Sequence, residues 1–280
     1  MTTLSKRPAS PELRDGERLG FLDRTAELCR LRDALVKRES LLLCGPPGIG
    51  KTALLLEVLC QLDADLARRC FYLSGVEGLQ NLLRHLLTHL FEARDDALRR
   101  QLHREGIQGG AFKAWLQAQS TSRLKGAAYR AFETTPYWVF LDHMARFTHA
   151  VAKVVKELVR MRNTPVYLLA RGFSELDVGH LAGLYWSDRQ RVVLGPLPEL
   201  EAHRLLESCV ERFGLAHLDL EGFREEVLRL SGQVPGAMVK MCSLASNPRY
   251  QYGSQIKTKL IHIDTLVSGY NADLERTKQG

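Results

Sequence analysis

Residues 41–59 read LLLCGPPGIGKTALLLEVL, and this stretch decides the fold. Its first four residues are apolar without interruption, which predicts a strand buried on both faces of a sheet. The segment TALLLEVLCQL that follows is apolar all around a helix, as expected for an inner helix of an α/β layer. Between them lie three glycines and two prolines. A strand, a glycine-rich loop and a helix in this order predict an α/β fold with a parallel sheet.

The loop matches the pattern G-x-x-x-x-G-K-[ST]. Glycine lets the backbone approach a ligand closely, and successive N–H groups with a helix N-terminus form a concavity for phosphate oxygens. In this pattern the lysine reaches the β- and γ-phosphates, and the hydroxyl is a ligand of Mg²⁺. The loop therefore predicts the phosphates of a nucleotide and Mg²⁺ as ligands, and it does not select the base. The predicted contacts are Gly45, Pro46, Pro47, Gly48, Ile49, Gly50, Lys51, Thr52 and Ala53, with Lys51 as a catalytic residue and Thr52 as a metal ligand.

An acid at the end of a second strand is expected to hold the metal opposite the loop. The segment TTPYWVFLDHM is a bulky β-type run that ends on Asp142, which we therefore predict as the second metal ligand. The next residue is His143, where many ATPases of this architecture have a second acid. His143 is a candidate for accepting a proton or orienting water, or it marks a slow or inactive hydrolytic site. Glu77, just past the strand CFYLS, is a candidate substitute for the missing carboxylate.

Arginines follow two further predicted strands. The strand TPVYLLARG ends on Arg171, which is placed to sense the γ-phosphate. The segment WSDRQRVVLGPL contains a strand at 190–194, preceded by Arg189 and Arg191. Either of these two is a candidate arginine finger for the nucleotide of a neighbouring subunit, if the protein forms rings or filaments.

Composition excludes several classes of protein. The chain has 280 residues, of which 45% are apolar and 25% charged, which is typical of a globular protein. No run of about 18 uncharged apolar residues is present, which predicts that the chain does not enter a membrane. The polar N-terminus lacks the apolar centre of a secretion signal, and the six cysteines are scattered without a CxxC pair, which favours reduced thiols over a metal site. These features predict a cytoplasmic location.

The net charge of +7 is unevenly distributed. In the segment ARFTHAVAKVVKELVRMR the spacing places five basic residues on one helix face. They are Arg146, His149, Lys153, Lys156 and Arg160. Such a stripe can follow the phosphates of DNA or RNA, with Arg146, Lys153, Lys156 and Arg160 as the contacts. The alternative is the solvated side of an ordinary amphipathic helix.

The periodicity divides the chain into four parts. Residues 1–19 are predicted as a flexible arm, and residues 20–197 as the core that carries the loop. Residues 198–247 contain three helical patterns, which predict a small all-helical lid. Residues 248–280 form a tail in which Ile256, Thr258 and Leu260 alternate with lysines like a strand, which predicts a β-hairpin with RYQY.

Several segments together resemble the AAA+ and STAND classes of P-loop ATPases. They are GFLDRTAELCRL, GPPGIGKT, VFLDH, LLARG, GPLPELEAHRLL and SGQVPGAMVKM, in that order over residues 19–246. The resemblance implies ATP as the nucleotide and an ASCE-type parallel sheet between helices. It also implies that Leu22 and Arg24 lie near the adenine, that Pro235 of the lid lies against the base, and that Arg171 is the sensor arginine. Asp23 replaces the usual glycine. Gly236 and Ala237 stand where typical AAA+ lids have a second sensor arginine, which favours STAND.

Three functions remain open on this basis. The first is a slow Mg²⁺-dependent ATPase, in which ATP drives a conformational or oligomerisation switch for a partner protein. The chain is too short after the lid for the additional domains of a STAND protein, so the target is expected on other chains, and self-association in a ring or filament is expected. The second is a DNA-associated regulator of the transposition or replication type. The third is a nucleotide-dependent scaffold without turnover.

Overall fold

A five-stranded parallel sheet forms the centre of the computed structural model, which describes residues 24–75, 78–142, 148–161, 163–184 and 187–267. The strands are β1 (Leu41–Cys44), β2 (Cys70–Ser74), β3 (Trp138–Asp142), β4 (Val166–Ala170) and β5 (Arg191–Val193). Their order is β2-β3-β4-β1-β5, and every neighbouring pair is parallel. Strands β1 and β3 are fully buried, because helices cover both faces of a parallel sheet. The predicted α/β class is confirmed.

The chain folds into two compact units. In the described residues the first comprises 24–46 and 51–194, and the second comprises 47–50 and 195–267. The helices of the first unit are α1 (Thr25–Lys37), α2 (Lys51–Cys60), α3 (Ala64–Ala67), α4 (Leu79–Glu92), α5 (Asp96–Arg104), α6 (Phe112–Ala118), α7 (Thr121–Thr134), α8 (His149–Arg160) and α9 (Glu175–Val178).

The segment between β2 and β3 forms four of these helices, α4 to α7. Leu82, Leu86 and Leu90 line the buried side of α4 at helical spacing, and α4 packs along α7. Ser120 caps the start of α7 by accepting a hydrogen bond from the Arg123 amide at 3.4 Å. The apolar sides of these helices join the sheet in one core cluster, which leaves their polar sides facing solvent.

The second unit is helical, with α10 (Glu199–Arg212), α11 (Glu221–Ser231) and α12 (Pro235–Ala245). Buried residues such as Leu206, Met238 and Met241 form its core. The tail departs from its predicted form after a short hairpin. Strands β6 (Gln251–Tyr252) and β7 (Gln255–Ile256) pair in antiparallel fashion, but residues 258–267 form a helix, α13. The prediction of a strand through Leu260 is therefore wrong. The chain forms a helix from residue 258 because this buries the side chains of Thr258 and Ile261 on one side of the helix.

Candidate nucleotide-binding site

The sheet order brings the loop after β1 and the acid of β3 to the same edge. Strand β4 lies between β1 and β3, with Cys44 paired to Ala170 and Leu141 paired to Leu168. Because all these strands are parallel, their carboxyl ends meet where ligands of open α/β sheets usually bind. Asp142 closes β3 and is only 2% exposed.

Thr52 and Asp142 are in direct contact across this edge. Helix α2 begins at Lys51, so that Thr52 lies in its first turn. The Thr52 hydroxyl donates a hydrogen bond of 2.7 Å to Oδ2 of Asp142. These two residues are 90 positions apart in the sequence, and the tertiary structure unites the two predicted metal ligands.

Tyr72 completes the surroundings of this carboxylate, and the sequence reasoning missed it. Its hydroxyl donates a second hydrogen bond of 2.7 Å to Oδ2 of Asp142. Burial raises the pKa of Tyr72 above its usual value, and the hydrogen bond to Asp142 raises it further. The alternation of side chains in the strand CFYLS could have predicted this contact. Tyr72 lies on the same strand face as Ser74, and Ser74 is the residue paired with Asp142.

Lys51 is held by its own loop. Its ammonium donates hydrogen bonds to the carbonyl oxygens of Gly45 at 2.7 Å and Pro46 at 3.1 Å. Burial lowers the pKa of Lys51, the charge of Asp142 opposes that effect, and the charge of Arg171 adds to it. The charges of Asp142 and Arg171 thus both act on Lys51, at the ends of β1, β3 and β4.

The tip of the loop is part of the second unit. Gly48 and Gly50 have positive φ angles of 77° and 100°, a region that favours glycine. The amide of Gly236 donates a hydrogen bond of 2.8 Å to the carbonyl oxygen of Gly48. Pro235 is the first residue of α12, so the predicted lid proline adjoins this contact.

The backbone of Gly48 leaves no room for a side chain at position 236. A Cβ atom there would lie 2.8 Å from Cα and 3.0 Å from the carbonyl oxygen of Gly48. Glycine at this position therefore permits the close backbone approach between the start of α12 and the loop tip.

The remaining predicted nucleotide contacts have mixed environments. Ile49 is fully buried within the loop, whereas Ala53 is exposed. Arg24 is 7% exposed, and its guanidinium contacts Glu27 at 3.5 Å. Burial lowers the pKa of Arg24, and Glu27 partly restores it. Leu22 lies outside the described residues.

The candidate arginines also differ in environment. Arg171 follows β4 and is exposed. The Arg191 guanidinium lies 4.8 Å from the centre of the Phe173 ring of the same chain and is half-buried. Arg189 is exposed, which makes it the better placed of the two candidate fingers.

The predicted basic stripe is partly within the described residues. Lys153 and Arg160 are exposed on α8, and Lys156 is half-buried. The His149 ring meets His180 edge-on, with ring centres 5.3 Å apart. Arg146 lies outside the described residues, as do His143 and Glu77, the two candidates for activating water.

The donor set fits Mg²⁺ bound together with phosphates. Thr52 and Asp142 offer oxygen ligands, and Mg²⁺ is usually held by one or two carboxylates plus substrate phosphates. Within the described ranges no group of three or more His, Cys, Asp or Glu side chains could hold a metal by itself. The six cysteines, all of them described, are free thiols. None of the helices in the described part of the chain has the length and apolar character needed to cross a membrane.

Comparison with known proteins places the chain in a family. The model of the AAA ATPase domain matches residues 21–170, more than half of the chain. Among solved structures, a Walker-type ATPase of Pyrococcus abyssi is similar with a TM-score of 0.59 and 14% sequence identity, over 94% of this chain and 77% of that one. At this identity the likeness shows the fold alone. No curated protein matches the sequence. The chain therefore belongs to the AAA ATPase domain family and, as a member, is an ATP-binding protein.

Proposed function

We propose that the chain binds ATP with Mg²⁺ and acts as a nucleotide-driven switch for a partner protein, with slow hydrolysis resetting it. The observation that carries this proposal is the 2.7 Å contact between Thr52 and Asp142. It joins the hydroxyl of the phosphate loop to a buried carboxylate, which is the arrangement required for the metal of a P-loop ATPase.

Each residue of the site has a distinct task in this proposal. Thr52 and Asp142 hold Mg²⁺, which when bound neutralises phosphate charge and orients the triphosphate. When the nucleotide binds, the Lys51 ammonium leaves the carbonyl oxygens of Gly45 and Pro46 and binds phosphate oxygens. Tyr72 fixes the orientation of the Asp142 carboxylate. Arg171 supplies a second positive charge near the terminal phosphate, and His143 accepts a proton from water or orients it.

The proposed switch depends on the contact between the loop tip and α12. The carbonyl of Gly48 accepts a hydrogen bond from the first turn of α12, so a change in loop conformation acts directly on that helix. ATP shifts the protein between conformations only to the extent that it binds one of them more tightly. Exposed Arg189 is the proposed finger for an adjoining subunit in a ring or filament.

Binding of labelled ATP tests the central claim. Lys51→Ala and Asp142→Asn are expected to lose affinity for Mg²⁺-ATP, and only Asp142→Asn is expected to retain metal-free binding. Lys37→Ala, which removes a lysine that is 61% exposed on α1, is the matched control. Unchanged affinity in Lys51→Ala would refute the proposal.

Capture of a partner with ATP but not with ADP tests the switch. Light scattering of wild type and Arg189→Ala with ATP tests self-association.

A scaffold without turnover is the second candidate, favoured by His143 in place of an acid. Phosphate release distinguishes the two. An ATPase is expected to release phosphate faster in wild type than in Asp142→Asn or His143→Ala. Equal background rates in all three proteins would establish the scaffold.

A further inference from the structure

Three helices of the first unit, α5, α7 and α8, lie side by side. The guanidinium of Arg130 on α7 donates a 2.6 Å hydrogen bond to Gln101 on α5, and Arg123 on α7 pairs at 3.1 Å with Glu105 at the C-cap of α5. On the other flank of α7, Lys125 pairs with Glu157 of α8 at 2.7 Å. Helix α7 is therefore the middle helix of three.

This arrangement joins two basic segments that are separate in the sequence. Arg100 and Arg104 of α5 are each followed by a residue that contacts α7, namely Gln101 in the helix and Glu105 at its C-cap. Lys153 and Arg160 flank Glu157 on α8 at spacings of four and three, which places them on the same ridge. We name the combined surface the three-helix basic face, and define it by Arg100, Arg104, Arg123, Arg130, Lys153 and Arg160, all of them exposed.

The acids at the two helix contacts offset only part of this charge. Glu105 accepts hydrogen bonds from Trp115 at 2.8 Å and from Arg123. Glu157 is bonded by Lys125 and by the hydroxyl of Tyr129. Both carboxylates are thus engaged at helix contacts, and Glu133 is the further exposed acid of α7. The face keeps a surplus of positive charge.

We infer that the three-helix basic face binds the phosphate backbone of a DNA duplex. Helix α7, which is about 10–12 Å in diameter with its side chains, lies between α5 and α8, so the cations of α5 and α8 are separated by at least about that width. That span reaches phosphates on both sides of a major groove, which is about 12 Å wide. Contacts from arginine and lysine to phosphate release counterions and do not depend on sequence.

The composition of the face disfavours the other polyanions. Single-stranded binding relies on exposed aromatic rings for base stacking, and membrane binding relies on an exposed apolar side. The large exposed hydrophobic side chains of the described residues include none between 96 and 160. The inference goes beyond the proposed ATP switch and does not depend on it.

The test is anisotropy of a short labelled duplex titrated with protein between about 50 and 200 mM salt. Arg100→Gln with Arg104→Gln changes α5, and Lys153→Gln with Arg160→Gln changes α8. Each double variant is expected to weaken binding by roughly tenfold or more and to lower the salt slope by about 1.8, since each lost contact removes about 0.9. The control is Lys37→Gln with Arg68→Gln, which removes two charges from residues 61% and 68% exposed elsewhere.

Several results would overturn the inference. They are absence of duplex binding by wild type at low salt, an equal loss in the control, an effect of one helix but not the other, and preference for single strands, an acidic protein or anionic vesicles. An RNA duplex is tested in parallel, and preference for it over DNA would also overturn the inference. ATP binding is expected to be unchanged in both double variants, and Lys51→Ala is expected to keep duplex binding, so failure of this inference and failure of the proposed switch are distinguishable.

Discussion

Replacing Gly236 by alanine should separate α12 from the tip of the phosphate loop. The added Cβ would lie 2.8 Å from Cα of Gly48 and 3.0 Å from its carbonyl oxygen. Both are backbone atoms, so the start of α12 or the loop must move. The movement also strains the 2.8 Å hydrogen bond from the Gly236 amide to the same carbonyl.

The expected cost follows from these contacts. Overpacking costs about 1–3 kcal/mol, and a weakened hydrogen bond costs about 1 kcal/mol. Alanine in a helix regains about 0.5–1 kcal/mol over glycine. Gly222→Ala is the matched control, because Gly222 lies in α11 of the same unit and a Cβ there meets nothing within 4 Å. Relative to this control, Gly236→Ala should be less stable by about 2–4 kcal/mol.

Calorimetry measures this difference. For a protein of this size 1 kcal/mol changes the Tm by about 2–4 °C, so the Tm of Gly236→Ala should lie at least about 4 °C below that of Gly222→Ala. Equal melting temperatures would show that α12 does not press on the loop tip, and the steric reasoning would fail.

Two further predictions concern Asp142 and Cys70. Tyr72→Phe and Tyr137→Phe each remove a 2.7 Å hydrogen bond to an aspartate, Asp142 and Asp95 respectively. Both should lower the unfolding free energy by about 1.5–3 kcal/mol, but titration with Mg²⁺-ATP should reveal an altered affinity only in Tyr72→Phe. The same change in both variants would remove Tyr72 from the site. Burial raises the pKa of the Cys70 thiol to about 12, against about 8.5 in an unfolded chain. Between these values the folded protein retains the thiol proton and the unfolded chain loses it, so stability should fall as pH rises from about 8.5 to about 12. Denaturant titrations should give a shallower fall in Cys70→Ala, and equal slopes would contradict the assigned burial.

Local sequence features were sufficient for the loop and the strands. The loop from Gly45 to Thr52, between an apolar strand and a helix, is recognisable from residues adjacent in the sequence. The same is true of the apolar strand that ends on Asp142. Interactions within about one turn or one strand dictate both, because side-chain periodicity follows directly from backbone geometry. The tail shows the limit of such reasoning, since the alternation through Leu260 was outweighed by burial of Thr258 and Ile261 in a helix.

The sequence by itself determined the α/β class, the phosphate loop and the identity of the acid opposite it. Tertiary structure alone decided that Tyr72 shares the carboxylate of Asp142, that Gly236 approaches Gly48, and that α7 joins α5 to α8 in one basic face. Each of these contacts links residues of different elements, and it depends on which strands pair and which helices pack. Periodicity specifies which side of an element is buried, but the partner of that side is selected by the folded chain as a whole.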